Sequence, residues 1–122
     1  MTISVVRLGS ERDKGEGPRL GTVRRPPRGV KKQDYARLDY YDAWLPELSP
    51  SATLIKLAHR DWKTFARRYR KEMQGQEHLL QTLSALSRGT DFSVGCYCED
   101  EARCHRSILR QILLEHGARI AK

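Results

Sequence analysis

All three cysteines of the chain fall in one segment, GCYCEDEARCHRSILRQILLEHG (Gly95 to Gly117). They are spaced Cys96-x-Cys98-x5-Cys104, and His105 and Arg106 follow directly. Four chemistries suit these residue types. In the first, a thiol near Arg106, Arg25 and a helix N-terminus gains thiolate character and becomes a nucleophile, with His105 as its base. Cys98, Cys104 and His105 are then the candidate catalytic residues, although Glu99, Asp100 and Glu101 crowd the same turn and repel an anion. In the second, Cys98 and Cys104 approach as a redox pair, which in a reducing compartment is a switch and not a staple. In the third, three thiols and an imidazole offer the ligand set of tetrahedral zinc. On one continuous helix, however, Cys104 and His105 point about 100° apart, and the two-residue spacing of a zinc knuckle is absent, so no metal and no cofactor is expected. In the fourth, the sulfur is core packing, Cys96 above all, and only Arg106 is functional.

These residues need elements to position them. TISVVRL (Thr2 to Leu8) is β-branched and bounded by Gly9, which predicts a strand. A glycine-rich loop leads to LGTVRR (Leu20 to Arg25), a second strand ended by Pro26 and Pro27. DYYDAWLPEL predicts a short helical piece stopped near Pro46, and SPSATLIKLAH a short helix with Pro50 at its first position. In RDWKTFARRYRKEMQ, Trp62, Phe65, Tyr69 and Met73 form one stripe opposite Arg60, Lys63, Arg67, Arg70 and Lys71. A helix follows with Leu79, Leu80, Leu83 and Leu86 inward, ended at Gly89. TDFSVGCYC alternates Phe92, Val94, Cys96 and Cys98 to one face of a third strand. The last helix is capped by Asp100 and ended by Gly117.

The pattern predicts a single α/β domain over residues 1–122, with a small, largely parallel sheet of about three strands flanked by helices. About sixty helix-containing residues join the second and third strands, and such a crossover makes its strands parallel. Both strands then end on one side, where open α/β sheets bind ligands. Arg25 and Arg28 would meet Cys98, Cys104, His105 and Arg106 there, so two distant clusters become one pocket.

The charge agrees with an anionic ligand. The chain carries 23 Lys and Arg against 15 Asp and Glu, a net charge of +8. The excess lies in residues 1–37, at +6, and residues 60–74, at +4. Such clustering suits phosphate-bearing partners. Trp44, Trp62 and Tyr69 have spacings that fit the core better than stacking on bases. No apolar run spans a membrane, and the apolar N-terminal patch is too short for a signal peptide. A cytoplasmic protein with free thiols is expected.

YCEDEARCHRSILRQILLEHG resembles the signature of the domain of unknown function family 488, in which a strand ends in Cys and Cys-His-Arg opens the last helix. VRRPPRGV, DAWLPELSPSATLIKLAH and WKTFARRYRKEM resemble its YeaO-like branch. The chain departs from that branch in carrying Arg24 and an intact Cys-His-Arg. The resemblance implies a compact α/β domain of the bacterial cytoplasm and no particular reaction. Carried over by position, it points to Arg25, Arg28, His59, Cys98, Cys104, His105 and Arg106, whereas His59 read by itself is a helix-terminal cap.

Three functions follow. The first is a module whose Arg25, Arg28 and Arg106 bind an anionic small molecule or a nucleic acid. The second is a Cys/His-dependent enzyme acting on a small phosphorylated or carboxylate substrate. The third is a basic domain that meets an acidic partner protein.

Overall fold

The computed structural model describes residues 1–121. It is an α/β fold built on one four-stranded sheet in the order β1-β4-β2-β3. The strands are β1 (Ile3–Arg7), β2 (Arg19–Gly21), β3 (Ala43–Trp44) and β4 (Phe92–Cys96). Every pairing is parallel, with Val5 opposite Val94 and Leu20 opposite Val94 on its other side. The expected parallel relation of β2 and β4 is therefore present, and the two are direct neighbours.

Three elements differ from expectation. β2 ends at Gly21 and not at Arg25; Gly21 itself lies against the Tyr41 ring, where a Cβ would be 2.3 Å from Tyr41 Cδ2. The segment expected to be helical before Pro46 contributes β3, paired to β2, and Pro46 opens a 3₁₀ turn instead of ending a helix. Backbone bonds make β3: Asp42 N–H donates to Arg19 O at 2.8 Å and Leu45 N–H to Gly21 O at 2.9 Å. The last helix is split. Asp100 caps a 3₁₀ turn over Glu101–Arg103, Cys104 is extended (φ −118°, ψ 149°), and α4 begins at His105 and ends at Glu115.

The helices pack through their expected stripes. α1 (Ala52–Ile55) is capped by Ser51, whose side chain accepts from Leu54 N–H. α2 (Trp62–Gln74) is capped by Asp61 and buries Phe65, Tyr69 and Met73, with Trp62 half-buried. α3 (Glu77–Leu86) buries Leu80, Leu83 and Ser84. The stripe through Leu80, Leu83 and Ser84 continues to buried Ser87, so Leu86, expected inward, is half exposed. α4 adds Ile108, Leu109, Ile112 and Leu113 to the same core as Phe92 and Val94. Arg70, expected on the cationic outer face, reaches Glu115 of α4 at 3.0 Å.

A second, smaller cluster lies at the C-terminal edge of the sheet, where Leu8, Val23, Tyr41, Cys96 and Cys104 pack together. The glycine-rich loop beneath it is pinned by a buried pair, Arg19 with Glu16. Arg19 also donates to the carbonyls of Ser10 at 2.8 Å and Asp39 at 2.6 Å.

Candidate functional site

A cavity of about 420 Å³ opens at that C-terminal edge, between the end of β2, the end of β4, α1 and the Cys104–His105 junction. Its walls are apolar, with Val23, Pro50, Ala52, Ile55 and Phe65. Arg24, Arg25, Lys56 and Arg103 also line it, with His59, and none of its lining residues is Asp or Glu. Cys96, Cys98, Cys104 and His105 line it as well.

Several of the cations are held by the fold. Arg24 donates from Nε and Nη2 to Pro50 O at 3.3 and 3.1 Å. Arg103 lies over the Trp62 ring, 5.7 Å from its centroid. The Arg25 backbone is tied to β4 by Tyr97, whose hydroxyl donates to Arg25 O at 2.9 Å. The acids of the Glu99–Glu101 turn are engaged elsewhere. Glu99 pairs with Arg7, Glu101 pairs with Arg110, and Asp100 accepts from Ala102 N–H.

His105 is buried, and its environment fixes its tautomer. Nε2 lies 2.8 Å from Thr22 O and 3.1 Å from Thr22 Oγ1. The Thr22 hydroxyl donates its own hydrogen to Gly95 O at 2.9 Å, so both atoms facing Nε2 are acceptors. Nε2 therefore carries a proton, and the lone pair of the neutral ring lies on Nδ1. Nδ1 faces Cys104 Sγ at 3.7 Å.

The three thiols are free and interact with one another. Cys96 Sγ is 3.8 Å from Cys98 Sγ. Hydrogen bonds from Cys104 and Cys96 push the Cys98 thiol below the ordinary thiol range; burial opposes this and the Arg106 guanidinium assists it. Cys96 moves up, through its bonds with Cys104 and Cys98 and through burial. Cys104 moves down, first through its bond with Cys96 and further through His105.

Of the residues expected from the sequence, Arg25, His59, Cys98, Cys104 and His105 line one cavity. Two do not. Arg28 is exposed beyond buried Pro27, at a turn made by Gly29 with φ +75°, and is not among the lining residues. Arg106 is 3% exposed and points inward; its Nη2 donates to Cys98 O at 2.6 Å, while Nε has no partner among the described residues. Arg106 therefore supports the turn from behind, because α4 begins one residue before it and buries that face. Thr22, Lys56 and Arg103 were not singled out in the sequence. Cys96 was read as packing, and its one-residue separation from Cys98 was the available signal for more.

The fold and cavity define a small parallel α/β protein with a thiol-imidazole cluster at the C-terminal edge of its sheet. Residues 3–117 match the family model described as the active DUF488-N3 subclade, and the chain belongs to that family. It is 27% identical over 112 residues to "Uncharacterized protein YeaO" of Escherichia coli (strain K12), covering 89% of this chain and 94% of that protein. No solved structure matches the chain significantly. No helix among the described residues is long and apolar enough to cross a membrane.

Proposed function

We propose that the cavity binds an anionic ligand with a flat or apolar body, the class of a phosphate-bearing nucleotide, free or within a strand. One observation carries this reading: four cations, Arg24, Arg25, Lys56 and Arg103, and no carboxylate line a cavity whose walls are otherwise apolar. Its volume of about 420 Å³ lies in the range of small-ligand sites. Arg25 and Lys56 hold the phosphate, and the body lies along Val23, Ile55 and Phe65.

Calorimetric titration with a nucleoside monophosphate tests this. A hydrogen bond to a charged group is worth about 1.5–3 kcal/mol, so the unphosphorylated nucleoside should bind about tenfold or more weaker. Arg25→Ala should weaken the nucleotide to a similar degree, and Arg28→Ala should leave it within about twofold, since Arg28 lies outside the cavity. Absence of binding by nucleotides and inorganic phosphate alike at low salt would remove the reading.

A second reading, a Cys/His-dependent enzyme, is favoured by the placement of Cys98, Cys104 and His105 on the wall of the same cavity. The description of the family as active agrees with it. Cys98 or Cys104 would be the nucleophile and His105 Nδ1 the base. This reading requires free thiols. Iodoacetamide alkylation of untreated protein faster than that of a simple thiol is its sign, and slow alkylation excludes it.

A further inference from the structure

The thiol-imidazole cluster has a geometry that neither ligand binding at the rim nor core packing explains. The sequence spacing argued against a metal because two successive helical residues point apart. That premise does not hold in the fold. Cys104 is the extended residue before α4, so its side chain and that of His105 turn toward the same point. The ligand atoms of Cys96, Cys104 and His105 all lie within 4.8 Å of one another, and all three residues are buried. Cys98 Sγ lies 3.8 Å from Cys96 Sγ but outside that group of three, so as the fourth ligand it would close the shell by a small side-chain movement on metal binding.

Two of these separations match the edges of a coordination shell. With metal–sulfur bonds near 2.3 Å and metal–nitrogen bonds near 2.0–2.1 Å, a tetrahedral zinc site has sulfur–sulfur edges of about 3.8 Å and sulfur–nitrogen edges of about 3.5 Å. The observed Cys96–Cys98 edge is 3.8 Å and the observed Cys104–His105 edge is 3.7 Å. We infer that Cys96, Cys98, Cys104 and His105 form a tetrahedral site for a thiophilic divalent ion, zinc by preference.

Two further observations agree. A ligating histidine ordinarily donates its other nitrogen to a carbonyl or carboxylate, which fixes its tautomer. His105 does this through Nε2 to Thr22 O, which leaves Nδ1 as the ligand atom. The second observation is Arg106, a buried guanidinium with no ion pair among the described residues. A buried cation without a counter-charge is costly. Three thiolates, one neutral imidazole and a divalent ion carry a net charge of −1, which Arg106 balances beside Cys98. The donor set is sulfur and nitrogen, and Glu99, Asp100 and Glu101 are engaged elsewhere, so magnesium and calcium do not fit.

This inference goes beyond the anion-binding reading, which needs no metal, and it is incompatible with free catalytic thiols. The test is a titration of reduced, metal-free full-length protein with cobalt(II), followed by displacement with zinc. We expect one cobalt per chain, with the intense visible bands of a tetrahedral centre and ultraviolet thiolate-to-cobalt charge transfer, both bleached by one equivalent of zinc. Cys98→Ser, at the least buried ligand, should weaken cobalt at least about tenfold, as loss of even an outer partner does. Thiol alkylation should be slow in the zinc-loaded protein and fast after chelation. If the wild-type protein shows only octahedral cobalt, or alkylates equally with and without zinc, the site does not exist. That outcome leaves nucleotide binding unaffected, because phosphate affinity is measured separately on the same protein.

Discussion

Among single residues, Glu16 and Arg19 form the buried pair that pins the glycine-rich loop between β1 and β2, and neither enters the cavity. Both are nearly fully buried, and Arg19 spends its remaining donors on the carbonyls of Ser10, Glu11 and Asp39. Removing one partner of a buried ion pair leaves the other charged and uncompensated, at about 3–5 kcal/mol. Glu16→Gln should therefore lower unfolding free energy by about 3 kcal/mol at neutral pH. The same pair sets an acid limit. Burial alone would raise the Glu16 pKa, but the Arg19 hydrogen bond and charge more than offset it, and the net shift is downward. Asp42, held by Arg12 and by Arg19 N–H, shifts the same way. A depressed folded-state pKa means that the unfolded chain takes up a proton first as pH falls. The stabilisation is thus complete above the ordinary carboxylate range and is lost below about pH 5 as the depressed values are approached. Urea unfolding of the wild-type protein across pH 3–7 should show this loss, and Glu16→Gln should show a shallower acid limb.

At the scale of elements, Gly95 decides how closely β1 and β4 approach. A Cβ at this position would lie 2.9 Å from Val6 O and 2.6 Å from Leu8 Cδ2. The oxygen belongs to the neighbouring strand's backbone and cannot move aside alone. Overpacking of this kind costs about 1–3 kcal/mol. Gly95→Ala should lower the urea midpoint accordingly, and it should also disturb the cluster, since Cys96 is the next residue. β1, β4 and the parallel placement of β2 were legible in the sequence because β-branched runs between glycines, joined by a long helical crossover, allow few arrangements. β3 was not legible. Its two residues are both exposed, and backbone bonds to β2 make it, without any side-chain pattern. The break at Cys104 was hidden for a similar reason: an acid, Glu101, after a capping Asp reads alike for a 3₁₀ turn and for the first turn of an α-helix. Partners fixed only by tertiary structure were also out of reach, notably Thr22 to His105 across 83 residues. Arg106 read as ligand-facing because charge suggests solvent, but its position on the first turn of α4 is on the buried face.

For the whole molecule, the proposed anion binding raises the question of whether the +8 net charge would serve the cavity alone or a longer anion running past it. The rim and α2 adjoin, because Arg103 packs over Trp62 at the start of that helix. Lys63, Arg67, Arg68 and Lys71 are exposed along α2, with Arg60 just before it. On the proposed reading, a mononucleotide in the cavity would reach only the rim cations, whereas a single strand anchored there would continue along α2. Each phosphate neutralised on a single strand contributes about −0.7 to the slope of log affinity against log salt. An oligonucleotide engaging three or four further cations should therefore show a slope steeper by about 2–3 than the mononucleotide. Arg67→Glu combined with Lys71→Glu separates the two cases by fluorescence polarisation. The double variant should keep mononucleotide affinity within about twofold while flattening the oligonucleotide slope by more than 1. Equal slopes for the two ligands in the wild-type protein would confine recognition to the cavity, and the basic face of α2 would then be a solvated surface that keeps the protein soluble.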